Sequence, residues 1–185
     1  MAMAMLTIAV MIVAGIINTA LKSTSVSKNY LIAQNLATES IEALKSIRDT
    51  NWLRDPENKN CWLRLDYKNG PCLLVATKGK SYISLNPDGY WKMVDANVNL
   101  NIANGFGINE AFRLYRQEKK IGDQTFEIYV HDKNFIKTPS LFYRSIYFRQ
   151  IAPDQSMAIV EVKVQWREGS KVYEIARDVT LFNYQ

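Results

Sequence analysis

Residues 1–23 read MAMAMLTIAVMIVAGIINTALKS, and the first charged side chain in the sequence is Lys22. Twenty-one residues precede it without an Asp, Glu, Lys, Arg or Pro. About 20 apolar residues suffice to cross roughly 30 Å of hydrocarbon as a helix. A secretory signal fits less well: no basic residue precedes the run, the run is too long, and no clean A-x-A site follows it. The run is not uniformly apolar, since Thr7, Gly15, Asn18 and Thr19 interrupt it.

No breaker follows. From Lys22 to Trp52 there is neither Gly nor Pro, and helix formers dominate NYLIAQNLATESIEALKSIRDTNWL at 29–53. Val26, Tyr30, Ala33, Ala37, Ile41, Leu44 and Ile47 recur three or four residues apart and draw one apolar stripe. Glu39, Glu42, Lys45, Arg48 and Asp49 fall mostly off it, as a solvated face would. The pattern predicts one continuous helix of about 50 residues and about 75 Å, with two different environments. Its second half can bury a stripe on the chain's own domain, through Tyr30, Ala33, Ala37, Ile41, Leu44 and Ile47. Its first half is apolar all round and must sit in lipid or among other helices.

After Trp52 the texture changes. Asp55, Pro56, Asn58 and Asn60 stop the helix and open a loop. Strand patterns follow. CWLRLDY (61–67) and CLLVAT (72–77) flank KNGP, and SYISL (81–85) and YWKMV (90–94) flank NPDG. TFEIYVH (125–131) alternates an apolar set, Phe126, Ile128 and Val130, against Glu127, Tyr129 and His131. LFYRSIYFRQI (141–151) puts Phe142, Ile146 and Phe148 on one face. VEVKVQWRE (160–168) sets Val160, Val162, Val164 and Trp166 against Glu161, Lys163, Gln165 and Arg167, as a half-buried antiparallel strand does. A turn at GS (169–170) leads into KVYEIARDVTLFNY (171–184), so three meander strands close the chain. DANVNLNIANGFGIN (95–109) reads as a loop. The expected organisation is α+β: an apolar half-helix at 1–25, an amphipathic half at 26–52, and an antiparallel β domain at 53–185.

The plan resembles that of type IV pilins and type II secretion pseudopilins. LIAQNLATESIEALKSIRDTNWL is similar to the segment that follows the membrane-spanning part of prepilin-like proteins. TPSLFYRSIYF, VEVKVQWRE and LFNY look like their final strands. The middle, about 53 to 135, carries no such likeness. AMAMLTIAVMIVAG resembles the portion several residues into a mature pilin; the basic leader, the glycine before cleavage and an F-T-L-I-E start are not in this sequence. The sequence either begins inside the mature helix or is a variant without the acid, which a tip-type subunit tolerates. The resemblance implies a structural subunit of a pilus-like filament, or a minor pilin or pseudopilin. Its partners would be copies of itself or other pilins, the pilus assembly machinery, and the cytoplasmic membrane before assembly. Met5, Ile8, Ile12, Gly15 and Ile16 would then lie in the filament core.

Candidate chemistry is sparse. The one histidine, His131, reads as an exposed strand residue without a nucleophile in its sequence context. Cys61 and Cys72 suit a disulfide if the domain lies outside the cytoplasm; with one His they make a poor zinc site. GFG at 105–107 lacks the setting of a phosphate loop. Glu39 and Glu42 read as solvated. The expectation is no enzyme activity, no metal and no cofactor. The net charge is +5 with no basic block, so nucleic acid is an unexpected partner. The four Trp and ten Tyr fit core packing, with a membrane-anchored DNA- or glycan-binding module as the alternative.

Overall fold

A computed structural model describes residues 2–57, 61–62, 80–85, 91–95, 112–131 and 138–184. Among the described residues one unbroken helix, α1 (Ala2–Arg54), precedes seven strands: β1 (Lys80–Leu85), β2 (Trp91–Asp95), β3 (Arg113–Ile121), β4 (Gln124–Val130), β5 (Thr138–Ile151), β6 (Met157–Glu168) and β7 (Lys171–Phe182). The helix ends where Asp55–Pro56 stop it, with Asp55 donating its N–H back to the Asn51 carbonyl at 3.0 Å.

All seven strands form one antiparallel sheet with β5 as its spine. From Phe142 onward β5 pairs with β6, which pairs with β7 along its whole length. The other side of β5 is shared. Its start pairs with β3, through Arg116↔Thr138, and its second half with β1, through Ser81↔Ile146. Two hairpins hinge on glycine: Gly122 and Gly169 have φ near +60° and open two-residue turns. An extra residue bulges β5 between Phe148 and Gln150.

The helix lies across β5, β6 and β7 and closes one core with them. Ala33, Leu36, Ala37, Ala43, Leu44 and Ile47 pack against Phe142, Ile146, Val160, Val162, Val164, Trp166, Ile175 and Leu181. The alternation of β6 is followed residue for residue: Val160, Val162, Val164 and Trp166 are all fully buried. In the helix stripe Ala33, Ala37, Leu44 and Ile47 are buried and Ile41 is half-buried against the core. Tyr30 is 47% exposed and meets the domain at its rim, edge-on to Trp166 with ring centroids 6.4 Å apart.

Several expectations need correction. Arg113–Ile121 is a strand that carries no clean alternation in the sequence. Cys61 and Trp62 form a 3-10 turn rather than the start of a strand. The rest of that strand pair, the NPDG turn and the loop from residue 96 onward lie outside the described residues. At the end of β4 the other set turns inward: Tyr129 packs edge-on against Phe142 at 5.8 Å and His131 is buried, while Phe126 is 44% exposed. The reason is the partner surface, since the helix covers the side of the sheet on which Tyr129 stands.

Candidate functional site

Two features stand out, a naked apolar half-helix and a charged clamp beneath the packed half. Every residue from Val10 to Ser25 is exposed, and burial begins at Val26. Sixteen consecutive exposed residues span all directions around a helix of 3.6 residues per turn. Met3, Ile8, Val10, Met11, Ile12, Val13, Ile16, Ile17 and Leu21 all present large apolar side chains to the outside. Covering them is worth on the order of 20 kcal/mol at about 2 per side chain. That exceeds the roughly 5–15 kcal/mol that separates a folded domain from its unfolded chain, so the surface demands a cover. By length and composition the helix can cross a membrane, and the window that qualifies is unburied.

Two hydroxyls near the end of the run are handled locally. Thr19 donates its hydroxyl to the Gly15 carbonyl at 2.9 Å, and Thr24 donates to Ala20 at 3.0 Å. Such bonds remove the hydroxyl from the surroundings and help to bend helices. A methyl at Gly15 would meet nothing within 4 Å, so no contact inside the chain requires glycine there. Among the proposed filament-core residues, Ile8, Ile12, Gly15 and Ile16 are exposed, and the Met5 side chain lies outside the described residues.

The clamp joins α1 to β5. Arg144, 1% exposed, donates from Nη1 to Glu39 Oε2 at 3.1 Å and to the Leu36 carbonyl at 3.4 Å. Glu39 therefore does not belong to the solvated face; Glu42 does, paired with Lys45. A second link ties the start of the domain: Glu168 Oε1 accepts from Asn29 Nδ2 at 2.7 Å and from Trp166 Nε1 at 3.1 Å. At the far end Asn51 donates to the Trp62 carbonyl, and Trp62 Nε1 donates to the Gln155 carbonyl, at 3.1 and 3.0 Å.

His131 is buried rather than exposed, at 8%. Burial, and the Arg144 charge nearby, hold its pKa well below 6.5, so it stays neutral at physiological pH. The outer face of the sheet carries a charge ladder: Arg149 reaches Glu161 and Asp178, and Lys163 reaches Glu161 and Glu174. Burial alone would raise the Glu161 carboxyl; Arg149 and Lys163 outweigh it and hold it lower than usual. Cys61 is disulfide-bonded. The only other cysteine in the sequence is Cys72, which lies outside the described residues. Among the described residues no cluster of His, Cys, Asp or Glu could hold a metal.

Comparison with protein-family models, curated proteins and solved structures finds no match to this chain.

Proposed function

We propose that this chain is a structural subunit of a type IV pilus-like filament. Its apolar half-helix serves first as an anchor in the cytoplasmic membrane and then as a packing element in the filament core outside the cell. The observation that carries the reading is the abrupt change at Val26, where one unbroken helix passes from exposed on every side to packed on an antiparallel sheet. Lipid and a bundle of like helices are both apolar, so one surface serves both. The small residues Ala14 and Gly15 permit close helix–helix approach, and Gly15 has open space around it in the isolated chain.

A minor pilin or pseudopilin, which uses the same helix in a shorter assembly, is the nearest alternative. Shearing the surface of cells that produce the protein and labelling the pelleted material with antibody tests the proposal. Labelled filaments along their length are expected. Label confined to filament tips supports the minor-subunit reading. Protein that stays in the membrane fraction, with none sheared, overturns filament assembly and leaves a permanently anchored module, whose DNA or glycan binding would then be measured directly.

A further inference from the structure

β3 and β4 extend past the body of the sheet. The last residue of β3 in register with β5 is Arg116, opposite Thr138, the first residue of β5. From there Gln117–Ile121 and Gln124–Ile128 pair only with each other among the described residues. Glu118 to Lys120 and Gly122 to Glu127 are all exposed. A two-stranded hairpin standing alone in water is marginal, so this overhang calls for a surface to lie on.

Its direction identifies that surface. β5 runs with the helix: its start lies near Lys28 and Ile32, and Arg144 further along meets Leu36 and Glu39. β3 is antiparallel to β5, so the overhang points toward the N-terminal half of α1. Its root is fixed beside the helix, because Arg116, Glu127 and Tyr129 line one cleft with Lys28, Asn29 and Ile32. Five residues of strand reach about 17 Å, the rise of about 11 helical residues. The Gly122–Asp123 turn therefore lies about level with residues 17–21, the end of the apolar run before Lys22.

We infer that the β3–β4 hairpin is a foot that rests on the phospholipid headgroups of the membrane in which α1 is anchored. The inference rests on the anchor reading of the helix. The chemistry of the foot together with the helix beside it suits an anionic surface. Lys22, Lys28, Arg116, Lys119 and Lys120 face Glu118, Asp123 and Glu127, and Arg116 neutralises Glu127 at 3.4 Å. The hairpin by itself is balanced, three cations against three acids, and Lys22 and Lys28 of the helix give the contact zone a surplus of two positive charges. Lys119 is paired across the hairpin with the half-exposed Phe126, and a cation beside an aromatic ring suits the headgroup level of a bilayer. The foot fixes the tilt of the domain over the membrane and is released when the helix leaves it.

The full chain is reconstituted in vesicles of equal parts phosphatidylcholine and phosphatidylglycerol. It carries Gln124→Cys labelled with an environment-sensitive fluorophore, and headgroup-level nitroxide lipids serve as quencher. Several-fold stronger quenching at position 124 than at a label on Ser156→Cys is expected, at the opposite end of the domain. Lys119→Glu with Lys120→Glu should remove most of that difference while the protein still floats with the vesicles. Flotation with equal quenching at the two sites overturns the foot and leaves the anchor intact. Equal quenching in the charge-reversed variant and its parent overturns the electrostatic contact. Failure to float overturns the anchor, and the foot with it.

Discussion

Arg144 of β5 and Glu39 of α1 form an ion pair, Nη1 to Oε2 3.1 Å, in which the guanidinium is buried and the carboxylate partly open to solvent. Removing the acid leaves a buried charge with, among the described residues, only the Leu36 carbonyl to face. Glu39→Ala should destabilise the domain by about 3 kcal/mol, since loss of one partner of a buried pair costs roughly 3–5 and solvent at Glu39 recovers some of it. Glu39→Met with Arg144→Met should cost less than Glu39→Ala alone. Thermal unfolding of the full chain in mild detergent, followed by near-ultraviolet circular dichroism, measures both; a double variant less stable than the single would contradict the account.

The neutral, buried His131 makes stability depend on pH in a defined direction. Its folded pKa lies below the 6.5 of the exposed group, so the unfolded chain binds the extra proton first. Stability is therefore full above about pH 6.5 and falls as pH drops below it. The groups around it reinforce the sign, because Arg144 opposes a second positive charge. His131→Gln should flatten the profile between pH 7 and 5, a window in which no other histidine titrates. An unchanged slope in that variant would assign the effect elsewhere.

Truncation separates the two halves of the helix. A fragment from Val26 onward loses the all-round apolar surface and keeps every helix residue buried against the sheet. It should be soluble and monomeric by sedimentation. Aggregation of that fragment would mean that the apolar segment also covers something within the domain.

The window Gly15–Thr19 is the weakest helical stretch of α1. Gly costs about 1 kcal/mol against Ala, and Ile, Asn and Thr several tenths each. In hydrocarbon an unpaired backbone group costs more and holds the helix. In a filament, residues 15–20 should be stretched, because neighbouring chains and water can satisfy those groups. Gly15→Ala with Asn18→Leu should stiffen the filament, and the added methyl at Gly15 has room. A filament reconstruction with continuous helical hydrogen bonds from Ala14 to Leu21 would falsify the stretching.

The disulfide at Cys61 secures the distal end, where Trp62 links the end of α1 to the β5–β6 turn at Gln155. Closing a loop of ten interior residues to Cys72 contributes on the order of 3 kcal/mol. Cys61→Ser should lower stability by about that amount and alter Trp62 fluorescence before global unfolding. Mass spectrometry of unreduced protein checks the bond itself.

The sequence by itself determined the helix, its change of environment, and the closing meander. Those signals are local: twenty-one residues before the first charge, a stripe of period 3.6, and the alternation of Val160 to Trp166. It left β3 invisible, because an edge hairpin of mixed charge buries too little to impose a period of two. It misplaced His131, Glu39 and the inward face of β4 for one common reason. A polar side chain carries no mark of whether a distant element will cover it. Arg144 is separated from Glu39 by 105 residues, and only the docking of α1 across β5 decides that the acid must answer a buried cation. Likewise only the register of Arg116 with Thr138 turns an unremarkable stretch of charged strand into an overhang aimed along the helix. Burial of apolar residues is written into short-range pattern, whereas pairing of charges is settled by which surfaces the fold brings together.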